Sequence, residues 1–176
     1  MSRHLFVDIS SHGFGHLAQV APIVNALARL LPDLRMSIRS GLPPEKIRAR
    51  IDAPFELLAG RGDFGFVMID AVRIDRAATG AAYRAFHANW EERIAAEAAF
   101  LRGLAPELVL TDVAYLPLAG AARASLPALS MCSLNWADLF AHVFGREAWA
   151  GPIHEQILAA YRSAGCFIRL IPAMPM

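Results

Sequence analysis

Apolar and polar positions along this chain switch repeatedly between two periods. Short apolar runs at Leu5–Ile9, Leu34–Arg39, Phe55–Leu58, Leu108–Leu110, Ala128–Cys132 and Cys166–Leu170 predict strands. The fourth is closed by Thr111 and Asp112. After the first run, Leu17, Val20, Ala21, Val24, Leu27, Ala28 and Leu31 recur at helical spacing and give one apolar face. Pro22 removes a donor, so this helix is expected to begin near Gln19 or to kink there. Gly41–Pro44 reads as a turn that opens a short helix through Ile51. Ala77–Leu104 reads as one long helix carrying Tyr83, Phe86, Trp90, Ile94 and Leu101 on one face, with Pro106 beyond its end. Leu116–Ala124 is a helix with Pro117 in its first turn, and Ser133–Trp149 is loop and short helix. Gly151 and Pro152 open a helix through Ala164, and Pro172 and Pro175 break the chain. Residues 59–76, with Gly60, Gly62, Gly65, Asp63, Asp70 and Asp75, are irregular; so long a loop in a compact domain is functional or mobile. The alternation predicts an α/β, Rossmann-like domain with a mainly parallel sheet of about six strands and helices on both faces. That class hosts many activities, so function has to come from particular residues.

The 176 residues suit a single domain spanning 1–176. A composition that is 56% apolar and 19% charged excludes disorder. The apolar excess has two explanations: strands buried on both faces, or a surface covered by a partner or second domain absent from the chain. A net charge of +1 with Lys46 as the single lysine leaves no electrostatic footprint for nucleic acid. No apolar run approaches the ~18 residues of a membrane span. Leu5–Ile9, short and interrupted by Asp8, is not a signal peptide. Cys132 and Cys166 each sit in an apolar run and are expected to be buried and reduced, which together with the missing leader points to the cytoplasm.

The chemistry concentrates in the loop Ser11-His-Gly-Phe-Gly-His16, between first strand and first helix. In open α/β sheets ligands bind at this edge. Gly13 and Gly15 allow a sharp turn and close approach, and the helix N-terminus favours a polar or anionic group. The dinucleotide fingerprint is not met. Ala18 stands at the third glycine, and Arg39 and Ser40 stand where the ribose-binding acid belongs, so no nicotinamide or flavin cofactor is expected. His16, at the helix start, is placed to take a proton from a hydroxyl, with its pKa held down by the helix N-terminus. Asp112, closing the fourth strand, belongs to the same edge, where it would fix the imidazole tautomer. The alternatives are a histidine that caps its helix or satisfies the loop backbone, and an aspartate that caps the next helix. The base reading requires the two groups in contact at one rim, neither sealed from solvent. His4, His12, His16 and the acids of residues 63–75 show no compact ligand spacing, so no metal is expected.

The run Ser11-His-Gly-Phe-Gly-His-Leu17, leading into a helix through Ala26 and Leu27, resembles the N-terminal half of two-domain GT-B glycosyltransferases. The likeness is strongest to the glycosyltransferase-like domain of L-arabinokinases and their bacterial relatives. It extends through Ile69–Arg76, Thr111–Val113, Ser133–Asp138 and Ile168–Pro175. The resemblance implies an acceptor-side domain in which His16 is the general base for a hydroxyl attacking the anomeric carbon of a nucleotide sugar, a UDP-sugar, and Asp112 orients it. It implies an acceptor cleft lined by Ser11, His12, Gly13, Phe14 and Gly15 and by the Ser133–Asp138 loop. Tyr115, Asn135 and Trp136 would contact a hydroxyl-rich ring, although Trp136 could equally serve packing. No cofactor or metal is implied besides the nucleotide sugar as co-substrate. In GT-B enzymes that co-substrate sits mostly on a C-terminal half, which this chain lacks, so the chain alone should not transfer sugar. Its partners would be a small hydroxyl acceptor and the missing half or a partner subunit, with an apolar patch facing that half or buried between two copies of the chain. The reading from another class is a non-catalytic binding or partner subunit of GT-B ancestry that docks through an apolar surface.

Overall fold

A computed structural model describes residues 3–174; Pro175 lies outside the described residues. The elements alternate along the chain. They are β1 (His4–Ile9), α1 (Phe14–Leu30), β2 (Arg35–Ser40), α2 (Pro44–Arg48) and β3 (Glu56–Leu58). Then come α3 (Arg76–Ala88), α4 (Trp90–Leu104), β4 (Leu108–Asp112), α5 (Leu116–Arg123) and β5 (Ala128–Cys132), and finally α6 (Trp136–Phe144), α7 (Ala150–Arg162) and β6 (Cys166–Arg169). The strands form one sheet in the order β3-β2-β1-β4-β5-β6, and every adjacent pair is parallel. The fold is therefore α/β and Rossmann-like. Strand order reverses between β1 and β4, which makes the C-terminal rim beside them the crevice where such sheets bind ligands. Register places Ile9 beside both Ser40 and Asp112, so the strand ends meet there.

The central strands read as unbroken apolar runs because successive residues feed two cores. Leu5, Val7 and Ile9 pack with Leu17, Val20 and Val24 of α1, while Phe6 packs with Leu101, Val109 and Leu118 on the other face. A third cluster is aromatic: Tyr83, Trp90, Tyr115, Trp136, Phe140 and Phe144 join α3, α4, α6 and the end of β4. Arg39, at the position of the missing ribose-binding acid, is a core residue. It donates to Asp8 and, through two nitrogens, to Glu97, with Phe6 and Phe100 against its guanidinium.

Several expectations differ in detail. The first helix begins at Phe14, not Gln19, and runs through the exposed Pro22 to Leu30. The long helix is two, divided at Asn89, whose φ of −117° and ψ of 45° lie outside the helical region. Cys132 is buried as expected, but Cys166 is exposed because β6 is an edge strand. Within residues 59–75 the regular features are a bridge from Met68 to Ile74 and a turn in which Asp70 accepts from the Val72 and Arg73 amides. No helix of the described residues is long and apolar enough to cross a membrane.

Candidate functional site

The parallel sheet carries Asp112, the last residue of β4, to the rim from which α1 departs. His16 stands in the first turn of α1, and its Nδ1 lies 3.0 Å from Asp112 Oδ2. The contact is an ion pair and not an aligned hydrogen bond, since neither Asp112 oxygen receives one from the described residues. The capping alternatives fail. Residue Gly13 caps α1 with no side-chain bond, and α5 starts at Leu116 with Tyr115 as its cap, so Asp112 caps nothing. The residue after Asp112, Val113, has φ of +65°, an outlier for a β-branched side chain, and its carbonyl accepts from Tyr161 Oη at 2.6 Å.

His16 retains 6% of its surface and Asp112 none. The imidazole therefore meets solvent narrowly, while the carboxylate is sealed in, against the expectation that neither group would be. An orienting carboxylate works from inside because its partner is the imidazole and not the substrate. Burial, the largest influence, would lower the His16 pKa; Asp112 and then Cys132 outweigh it and raise it from 6.5 to about 10. The expectation that the helix N-terminus holds this pKa down is overturned. A full carboxylate charge at 3.0 Å outweighs the half charge of a helix end.

Sequence reasoning missed three residues here. Cys132 Sγ, at the end of β5, is 3.9 Å from His16 Nδ1. Gln19, one turn beyond His16, donates to Ser133 Oγ at 2.9 Å and accepts from the Ser133 amide, tying α1 to the β5–α6 loop. Asp63 is buried, accepting from Ser10 Oγ at 3.0 Å and Trp136 Nε1 at 2.6 Å. Burial and then the charge of Asp8 push its pKa up to about 7 against the pull of those donors. Helical spacing could have flagged Gln19; the other two are separated from His16 by too much chain for any local pattern.

The remaining candidates divide. His12 sits edge-on to Trp136 at 5.2 Å and to Phe66 at 6.3 Å, with its Nε2 buried and unpartnered among the described residues. Its pKa is lowered by burial and then by His16. Trp136 is buried, 6.0 Å from the His16 ring, and is as much packing as site. Ser11 lies against Gly41. Gly13 is extended, neither Gly13 nor Gly15 has positive φ, and a Cβ on either would meet nothing, so the expected sharp turn is not what requires them. Phe14 is 57% exposed beside them. Two candidates hold structural contacts. Tyr115 is core, its hydroxyl 2.9 Å from His87 Nε2, and Asn135 caps α6 by accepting from the Asp138 amide. Of the histidines considered with the acids of residues 63–75, His4 lies apart, pairing with Arg35 and Ser37 at the start of β1. An apolar groove of about 690 Å³ lies elsewhere, lined by Leu27, Leu31, Leu108, Leu110, Leu129 and Met131. Phe14, the first residue of α1, and Ile69 and Val72, both in the segment of residues 59–75, are exposed.

This is the fold of one half of a GT-B glycosyltransferase. The chain superposes on UGT2 of Phytolacca americana complexed with UDP-2fluoro-glucose and pterostilbene with a TM-score of 0.56 and 10% identity, over 94% of this chain and 47% of that one. It superposes on CalG4, the calicheamicin glycosyltransferase, with a TM-score of 0.54 and 20% identity, over 90% of this chain and 41% of that one. In sequence it is 26% identical to the L-arabinokinase of Arabidopsis thaliana over 180 residues, covering 99% of this chain and 17% of that protein. The chain thus spans under half the length of the structures it matches and about a sixth of the curated relative. No protein-family profile matches it.

Proposed function

We propose that this chain is the acceptor-binding half of an enzyme that transfers a sugar from a nucleotide sugar, a UDP-sugar, to a hydroxyl acceptor. His16 is the general base and Asp112 orients it. The observation that carries the reading is the meeting of these residues, 96 positions apart, in an ion pair at the rim where the sheet order reverses. The imidazole takes the acceptor proton, the freed oxygen attacks the anomeric carbon, and the bond to the nucleoside diphosphate breaks with its electrons going to the leaving group. Asp112 holds the imidazolium so formed. The likeness to a glycosyltransferase complexed with UDP-2fluoro-glucose supports this chemistry, and the donor would sit on a second half.

The high pKa of His16 sets a condition. With a midpoint of about 10, about one chain in a thousand carries the free base at pH 7, although that base is strong. In the polypeptide carrying both halves, log kcat/KM for transfer should therefore rise with pH toward about 10. Asp112→Asn should move that limb to lower pH. A limb unmoved by the substitution would overturn the assignment. The narrow exposure of His16 and the separate apolar groove favour one second reading, a non-catalytic partner module docked through that groove. In that case transfer, if present in the complete polypeptide, would show no limb tied to His16.

A further inference from the structure

Three different elements deliver one ligand-type atom each to a single point. His16 Nδ1 comes from the first turn of α1, Asp112 Oδ2 from the end of β4 and Cys132 Sγ from the end of β5. All three lie within 4.8 Å of one another, with Nδ1 at 3.0 Å from Oδ2 and 3.9 Å from Sγ. Bonds of 2.0–2.3 Å around a tetrahedral zinc ion place neighbouring donors about 3.3–3.8 Å apart. The two separations from Nδ1 come within a few tenths of an ångström of that spacing, and Oδ2 and Sγ lie within 4.8 Å of each other.

A second observation points the same way. Asp112 is wholly buried, and neither oxygen receives an aligned hydrogen bond from the described residues. Buried carboxylates are rarely left so, because an unsatisfied charge in the interior is costly. The imidazole beside it offers charge but poor alignment. Gln19 Oε1, 3.6 Å from the sulfur, takes the Ser133 amide and orients the thiol from outside the cluster.

We propose that His16, Asp112 and Cys132 form a site for a thiophilic divalent cation, zinc, with a fourth position open to water or a substrate oxygen. The donor set, one imidazole, one carboxylate and one thiolate, is one that zinc accepts and that hard oxygen-seeking cations do not favour. Binding rests on the geometry alone. Its consequence rests on the functional reading above: a cation on Nδ1 takes the lone pair that faces Asp112 and withdraws charge from the ring, which weakens the base, so zinc inhibits transfer.

Cobalt titration of the 176-residue chain tests the site. The expected result is one Co²⁺ per chain, a thiolate-to-metal charge-transfer band, and its loss on adding Zn²⁺. Cys132→Ser should abolish the band and weaken zinc about 100-fold or more. Asp112→Asn should weaken zinc comparably with circular dichroism unchanged, and Cys166→Ser, which alters the exposed cysteine, should leave band and affinity intact. No band in the folded wild-type chain, zinc affinity unchanged in Cys132→Ser or Asp112→Asn, or loss in Cys166→Ser overturns the site. None of these outcomes requires sugar transfer, so the metal site and the general base stand or fall separately.

Discussion

Replacing Asp112 by Asn keeps the shape of the side chain and removes the charge that faces His16. In the folded chain His16 holds its proton with a pKa of about 10, against 6.5 when unfolded. That difference corresponds to about 5 kcal/mol of stability when the group is fully protonated. Because the folded pKa is raised, the contribution is complete below about pH 6.5. It shrinks by about 1.4 kcal/mol per pH unit above that and is gone past about pH 10. In Asp112→Asn the burial that lowers the pKa remains with only Cys132 left to oppose it, so most of this pH-dependent contribution falls away. Asp8, which feels Asp112, and Asp63, which feels His16, titrate at about 6 and about 7, so the comparison is cleanest above about pH 8, where both are ionised in both proteins. Urea unfolding of the two proteins from about pH 6 to about pH 10 should show the stability gap closing as pH rises. A gap that stays constant, or a wild-type His16 ring titrating near 6.5, would refute the reasoning.

Two further substitutions probe the surroundings. Gly65 has φ of +63°, and a Cβ there would come 2.5 Å from the His12 ring; Gly65→Ala should cost about 1–3 kcal/mol in chemical unfolding and shift the His12 ring resonances. Trp136→Phe removes the donor at 2.6 Å from Asp63. Since Asp63 ionises near pH 7, the loss, about 1–3 kcal/mol, should be larger at pH 8 than at pH 5 in the same assay.

Much of the fold was legible because it follows from local pattern. The continuous apolar strands and the helical face of α1 fix a parallel sheet, and right-handed crossovers leave few alternatives to the observed order. Pattern failed where the period does not change. Tyr83, Phe86 and Trp90 keep helical phase across Asn89, so the break there left no trace in the spacing. The site was half legible. His16 and Asp112 follow from strand-end positions, but Cys132 and Asp63 join them only through tertiary packing, 116 positions from His16 and 73 from Trp136. Tyr115 looks like a sugar contact in sequence, yet it is core, because side-chain type does not tell which way a residue faces. The sign of the His16 pKa shift was misjudged because a helix terminus is visible in sequence while the distance to a carboxylate is not.

The account turns on whether His16 moves the acceptor proton. Transfer by His16→Ala in the polypeptide that carries both halves, measured as kcat/KM beside wild type with folding verified, tests this most directly. The account predicts a fall of about 10²–10⁴-fold, the usual worth of a general base; transfer within about twofold of wild type would contradict it.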